Sequence, residues 1–174
     1  MEKKKIQAHF ISNTVTSNDA LAHSLYSKSR FGERVGEKIQ YMPSEALFLF
    51  EKRKMEILQN DKKMTSAELL RKLRRLDKKI QNKYIVFKDL REKGYTVKTA
   101  LKFGAEFRVY DKGVKISEDH AKWILFTAAE NEKLTWHDFS AKNRIAHSTK
   151  KHLLLAIVDD EGDITYYEVG WKKP

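Results

Sequence analysis

The sequence lacks cysteine entirely, contains only two prolines and seven glycines, and has no apolar run long enough to span a membrane. The absence of cysteine excludes disulfide frameworks, thiolate catalysis and zinc fingers, and it fits a reducing interior, so we expect a cytoplasmic protein. The scarcity of glycine and proline excludes long flexible linkers. The first residues, MEKKKIQAHF, carry charge at once and no apolar segment follows, so we expect no signal peptide.

What the chain does have is positive charge. Its 174 residues include 35 Lys and Arg against 24 Asp and Glu, a net charge of +11, while 41% of the residues are hydrophobic. The hydrophobic content indicates a folded protein with a core. The charge favours a polyanionic partner such as nucleic acid, because each neutralised phosphate releases counterions. A lysine-rich surface adapted to a hot environment is the alternative.

The first part of the chain has the pattern of a small α+β domain. Residues 4–11 alternate as a strand does, and Ser17 is a candidate N-cap for a helix that follows it. Two glycines bracket a turn before a short strand, EKIQYM. Pro43 and Ser44 then begin a second helix, EALFLFEKRKM.

A long amphipathic helix is predicted next, over residues 65–93. Thr65 and Glu68 have capping-box spacing, and Gly94 can end the helix. Apolar residues recur at steps of three and four: Leu69, Leu73, Leu76, Ile80, Tyr84 and Phe87. We place the domain boundary in this helix or at a break near Asn82, which gives domains over residues 1–83 and 84–174.

The same predicted helix carries a basic face. Five basic residues share it: Arg71, Arg74, Arg75, Lys78 and Lys79. A solvated helix surface and a contact with an RNA backbone both explain such a face. The sequence does not choose between them.

The last part predicts a mixed β-sheet with helices against it. The segments YTVKTA, FGAEFRVYD and AKWILFTAA have the pattern of strands, and TWHDFSAKNRIAHS that of a helix. HLLLAIV is apolar throughout, as a strand covered on both faces is. DDEGD then forms a hairpin turn before the returning strand ITYYEVGW. The fold class is therefore α+β or α/β, with a small N-terminal domain before a mixed sheet.

Three separated residues have the chemistry of metal-free RNA cleavage. Tyr110 ends a strand, His120 lies in a polar loop before a strand, and Lys151 lies at the start of the apolar strand HLLLAIV. Such cleavage needs one group to take the 2′-proton, one to protonate the leaving oxygen and one to stabilise the phosphorane. Each residue also has an ordinary explanation as a surface tyrosine, a hydrogen-bonded loop histidine or a start-of-strand lysine. The neighbouring Lys150 competes for the third role.

The sequence offers little to a metal ion. The strands AKWILF and HLLLAIV carry no carboxylate, and no histidine pair has the helical spacing of a zinc site. We therefore expect neither a metal nor another cofactor. Arg144 and Trp171 are candidates for stacking on RNA bases, although a tryptophan is as often a core or interface anchor.

Three segments together resemble the motifs of archaeal tRNA-splicing endonucleases. They are FGAEFRVYDKG (103–113), EDHAKWIL (118–125) and RIAHSTKKHLLLAIVDDEGD (144–163), in the family's order. SEALFLFEKRKMEI (44–57) resembles the family's N-terminal domain more loosely. The resemblance implies a short, single-copy subunit with a small N-terminal α+β domain. The C-terminal domain would be a restriction-endonuclease-like mixed-sheet nuclease domain flanked by helices.

The resemblance also implies residue roles. Tyr110 would be the general base, His120 the general acid and Lys151 the residue that stabilises the transition state. The family pattern of Ala-His-Ser, one variable residue and Arg/Lys-Lys matches Lys151 rather than Lys150, and it makes His147 a scaffold residue. Arg144 and Trp171 match positions that clamp a bulged base.

The implied substrate is precursor tRNA folded as a bulge-helix-bulge, cut to 2′,3′-cyclic phosphate and 5′-hydroxyl ends. The implied assembly is a homotetramer, or a heterotetramer with a structural subunit. An acidic loop would dock into a neighbouring subunit: Asp159, Asp160, Glu161 and Asp163. On the residues alone that loop is a solvated turn. The final strand, with Tyr166, Tyr167 and Val169, resembles the family's dimer edge.

Two other functions remain open at this stage. One is a non-catalytic subunit that binds and positions RNA, and the presence of Tyr110, His120 and Lys151 together argues against it. The other is a metal-dependent DNA nuclease on a similar core, which a chelator would inhibit.

Overall fold

The computed structural model describes residues 4–113 and 120–172. The chain divides into two compact units, Met1–Tyr84 and Ile85–Pro174. Within the described ranges, every helix is too short or too polar to cross a membrane.

The first unit is built on a six-stranded sheet within residues 4–84. Its order is β3-β4-β2-β1-β5-β6; β1 and β5 run parallel, and the other neighbours run antiparallel. Alternate residues of β1 are buried, as a sheet with one covered face requires. The strands are β1 Ile6–Ile11, β2 Thr14–Ser17, β3 Glu33–Val35, β4 Lys38–Tyr41, β5 Met55–Gln59 and β6 Lys62–Lys63.

Three helices of this unit are α1 Ala20–Ser29, α2 Pro43–Glu51 and α3 Ser66–Leu76. The expected N-cap at Ser17 is wrong, because Ser17 ends β2 and its hydroxyl donates a hydrogen bond to the carbonyl oxygen of Gln7. Asp19 caps α1 instead, accepting from the N–H of Leu21 at 2.9 Å. The expected extension of α2 through Met55 is also wrong, because Met55 begins β5.

The predicted long helix is in fact two helices. α3 begins with the expected capping box of Thr65 and Glu68, but it ends at Leu76, and α4 spans Ile80–Glu92. Asp77 is extended and causes the break: its carboxylate accepts from the N–H of Lys79 at 2.9 Å and pairs with the Lys83 ammonium at 2.7 Å. An aspartate side chain that binds nearby backbone N–H groups begins a new helix more readily than it continues an old one. The expected end at Gly94 is confirmed by its φ of +94° and by the hydrogen bond from the Tyr95 N–H to the Leu90 carbonyl.

The second unit is built on the mixed sheet that the sequence predicts. Its order in the described residues is β11-β10-β9-β8-β7, with β9 and β10 parallel and the other neighbours antiparallel. The strands are β7 Thr96–Thr99, β8 Phe107–Tyr110, β9 Trp123–Ala129, β10 His152–Val158 and β11 Ile164–Val169, and α5 spans Trp136–Ser148.

Helices cover both faces of this sheet. Ala146 of α5 shares a buried cluster with Ile124 and Leu153 on one face. On the other face Phe87 of α4 packs on Phe107, with ring centroids 6.0 Å apart. The interior strand β10 is covered on both faces, which explains its unbroken apolar sequence.

Candidate active site

Three chain segments meet at one end of the second sheet. β8 ends at Tyr110, β9 begins three residues after His120, and β10 begins directly after Lys151. β8 runs antiparallel to β9, and β9 runs parallel to β10. The C-terminal end of β8 and the N-terminal ends of β9 and β10 therefore lie at the same end of the sheet. Adjacent strands lie about 4.8 Å apart, so the backbones of Tyr110 and Lys151 are about 10 Å apart across β9.

The register fixes this arrangement. Val109 lies opposite Trp123, and Trp123 lies opposite His152. The backbone continues the pairing outward, because the N–H of His152 donates to the Lys122 carbonyl at 3.0 Å and the N–H of Lys122 donates to the Val109 carbonyl at 2.9 Å. The backbone therefore holds this end of the sheet together strand by strand.

Tyr110 is buried, with only 5% of its surface exposed. The surface alternative considered for this residue is therefore wrong. The side chain shares a face of β8 with Arg108, because alternate residues of a strand point the same way. A buried tyrosine at a strand end has a fixed position from which to act.

Lys151 and Lys150 occupy different environments. Lys150 is exposed and has a φ of +56°, which turns the chain from α5 into β10. Lys151 is partly buried, and its ammonium donates to the Thr149 carbonyl oxygen at 2.8 Å. Burial and the positive charge of Arg108 hold the pKa of Lys151 below its ordinary value.

His120 is exposed and begins the second described range. It is at the same end of the sheet as Tyr110 and Lys151 because it lies three residues before the start of β9. Glu118 and Asp119, which belong to the same sequence segment, lie outside the described residues.

Arg144 and Trp171 line one surface pocket of about 370 Å³, together with Ser140, Asn143 and His147. Trp171 is 56% exposed, so it is not a core anchor of this unit. The His147 ring lies against the Trp171 indole, with centroids 4.3 Å apart and planes at 55°. Sequence reasoning missed the position of His147 beside Trp171. His147 lies three residues after Arg144, so the two side chains share one face of α5. That spacing could have placed His147 beside the candidate base-binding residues.

One residue of the acidic turn, Asp159, stabilises the turn itself. The Asp159 carboxylate accepts from the N–H groups of Glu161 at 3.0 Å and Asp163 at 2.8 Å. Asp160, Glu161 and Asp163 are exposed. Nowhere in the described ranges do three or more histidine, aspartate or glutamate side chains form a group that could hold a metal ion.

The final strand, β11, lies at the edge of the sheet. Its Tyr167 is exposed, whereas Tyr166 donates its hydroxyl hydrogen to the Asp89 carboxylate at 2.7 Å. Burial and the charge of Asp89 raise the pKa of Tyr166 above its ordinary value. Of the two tyrosines, only Tyr167 is exposed at this edge.

Comparisons with known proteins match both units. Residues 80–166 match the model described as tRNA intron endonuclease, catalytic C-terminal domain, and residues 6–70 match the N-terminal domain of the same family. The tRNA-splicing endonuclease of Nanoarchaeum equitans is 44% identical over 83% of this chain and 97% of its own length. That of Thermococcus gammatolerans is 41% identical over 86% and 87%. That of Pyrococcus horikoshii is 38% identical over 98% and 99%.

Proposed function

Because this chain belongs to the tRNA intron endonuclease family, we propose that it is a catalytic subunit that cleaves precursor tRNA at exon–intron junctions. The observation that carries the proposal is the position of Tyr110, His120 and Lys151 at one end of one sheet. These are the residues that the family resemblance assigns to proton transfer and charge stabilisation.

The chemistry is an internal displacement at phosphorus. The ribose 2′-oxygen attacks the scissile phosphate, and Tyr110 takes the proton that the 2′-hydroxyl loses. The bond from phosphorus to the 5′-oxygen breaks, and His120 gives that oxygen a proton. The products are a 2′,3′-cyclic phosphate and a 5′-hydroxyl end, and no bond to the protein forms.

Lys151 stabilises the negative charge that develops on the phosphorane oxygens. Its ammonium donates a hydrogen bond to the Thr149 carbonyl and is partly shielded from water. A charge acts more strongly on a reacting group when water is excluded. The residue interacts with the transition state more strongly than with the bound substrate. It therefore affects the rate of cleavage rather than the affinity for RNA.

Arg144 and Trp171 would hold a base of the bulge in the pocket that they share. A guanidinium and an indole both stack on base planes, and exposed aromatic side chains contribute about 1–3 kcal/mol per base. His147 lies against the indole and supports its orientation.

The bulge-helix-bulge substrate has two cleavage sites, so the working enzyme has at least two catalytic subunits. We propose a homotetramer or a heterotetramer with a structural subunit. The exposed acids Asp160, Glu161 and Asp163 would dock into a neighbouring subunit, and β11 would pair at the dimer edge.

The test is a comparison of Lys151→Ala with Lys150→Ala in single-turnover cleavage of an intron-containing precursor tRNA. Lys151→Ala should slow cleavage about 100- to 1,000-fold, as loss of one group that stabilises transition-state charge does, with RNA affinity nearly unchanged. Lys150→Ala is the matched control and should cleave at close to the wild-type rate.

Two results would contradict the proposal. If cleavage slows only in Lys150→Ala, the stabilising residue is Lys150 and the assignment to Lys151 is wrong. Loss of wild-type cleavage in EDTA would favour metal-dependent chemistry instead.

A further inference from the structure

Helix α3 presents a row of cations on the side opposite its buried residues. Leu69 and Leu73 are fully buried. On a helical wheel Arg71 and Arg75 lie about half a turn away from them, at i and i+4. The basic stripe consists of four exposed residues, three on α3 and one directly after the helix ends: Arg71, Arg74, Arg75 and Lys78.

No carboxylate in the described residues forms a close ion pair with the stripe, and the Glu68 carboxylate interacts with Arg71 only through its charge. In the described part of the chain, no acidic side chain forms an ion pair with Arg71, Arg75 or Lys78, and Arg74 donates to the amide oxygen of Gln81 at 2.6 Å. The two nearest acids in sequence are already engaged. Glu68 accepts from the Thr65 N–H at 2.8 Å, and Asp77 pairs with Lys83 at 2.7 Å.

The stability of the helix does not account for this arrangement. Basic residues in the last turn interact favourably with the helix dipole, which explains Arg74 and Arg75. Arg71 lies earlier in the helix, and Lys78 lies after its end. Arg71 and Arg75 are also like charges at i and i+4, a spacing that costs a helix stability.

We propose that the basic stripe binds the sugar-phosphate backbone of the RNA substrate. This inference rests on the proposed function, which supplies a polyanionic substrate. Arg71 and Arg75 are about 6 Å apart along the helix, and each guanidinium can contact phosphate oxygens through two N–H groups. Contacts of this kind position the RNA without reading its sequence.

The test compares two triple variants that lose the same charge. Arg71→Gln/Arg75→Gln/Lys78→Gln removes three of the four cations of the stripe and keeps Arg74, which is hydrogen-bonded to Gln81. Lys28→Gln/Lys38→Gln/Lys62→Gln removes three exposed lysines that are dispersed over the same unit. The dissociation constant is measured for an intron-containing precursor tRNA transcript between about 50 and 200 mM salt.

The stripe variant should lose about 2–3 units of slope in the plot of log affinity against log salt, about 0.7–0.9 for each phosphate contact. Its KM should rise, and its single-turnover rate at saturating RNA should stay at the wild-type value. The control should keep the wild-type slope. Arg71→Gln alone should lose about one unit of slope, which keeps the test available if the triple variant folds poorly.

Equal slopes for the stripe variant and the control would overturn the proposal. The proposal would also be overturned if the stripe variant kept the wild-type slope but differed from the wild type in molecular mass in light scattering. The stripe would then bind a protein. The two proposals can fail separately. If the wild type binds the transcript with a steeper salt dependence than the stripe variant but does not cleave it, the proposed function is wrong and RNA binding by the stripe is retained.

Discussion

Neighbouring residues of one type can have unlike environments. Lys150 takes a left-handed backbone conformation in the turn, whereas Lys151 has its ammonium bound to a carbonyl and near Arg108. The sequence shows only two lysines in a row. The difference arises because the turn from α5 fixes where β10 starts.

Arg108→Gln should move the alkaline limb of the cleavage profile to higher pH. Burial and the positive charge of Arg108 both lower the pKa of Lys151, so removing that charge raises the pKa and the ammonium persists at higher pH. The measurement is the single-turnover rate as a function of pH.

Arg108→Lys retains a positive charge and is the control, so its alkaline limb should stay near that of the wild type. An Arg108→Gln limb that remains in place or moves to lower pH would contradict this role of the charge.

The site residues differ in how far the sequence could predict them. Tyr110, His120 and Lys151 were identified from chemistry and resemblance, and their catalytic roles stay predictions. The burial of Tyr110 was missed because its sequence neighbours are polar, and burial depends on what packs over the strand. The position of His147 against Trp171 was missed because the segment after β11 has no periodicity to place it.

At the scale of elements, long periodic segments were predictable and their interruptions were not. The five strands of the second sheet follow from alternation and apolar runs. The break between α3 and α4 was misplaced because the apolar stripe continues across it, while a single side chain, Asp77, decides the backbone. Ser17 failed as a cap for a similar reason, since its hydroxyl binds the neighbouring strand.

Gly32→Ala should lower the free energy of unfolding of the first unit by about 2–5 kcal/mol, the combined cost of overpacking and of a left-handed backbone. Gly32 has a φ of +77°, and an added Cβ would lie 2.3 Å from a methyl carbon of the buried Ile39. Denaturant unfolding measures the change.

Gly36→Ala is the matched control in the same hairpin. Gly36 also has a positive φ, +60°, but an added Cβ meets nothing within 4 Å. Its cost should be about 1–2 kcal/mol. Equal losses in the two variants would mean that the contact with Ile39 is relieved by repacking.

At the scale of the whole molecule, the charge distribution supports the proposed docking between subunits. The protein has a net charge of +11, yet its β10–β11 turn carries exposed acids beside an edge strand. A local negative charge on a basic protein is attracted to the surface of another copy. The family resemblance predicts this docking from the sequence, but neither the pairing partner nor the number of subunits follows from one chain.

Asp160→Asn/Glu161→Gln/Asp163→Asn should shift the molecular mass in light scattering toward smaller species. Asp159 is retained because its carboxylate holds the turn through two backbone N–H groups. The control, Glu37→Gln/Asp61→Asn/Glu130→Gln, removes three exposed acids elsewhere and should keep the wild-type mass. The docking role is wrong if both variants have the same mass.

The strand order also determines when the proposed site forms during folding. Tyr110 and Lys151 are roughly 40 residues apart, and they come together only after β10 has paired with β9 through a crossover that includes α5. A partly folded chain in which β10 is still unpaired therefore keeps these two side chains apart, and on the proposed mechanism it would leave RNA uncut until that crossover has formed.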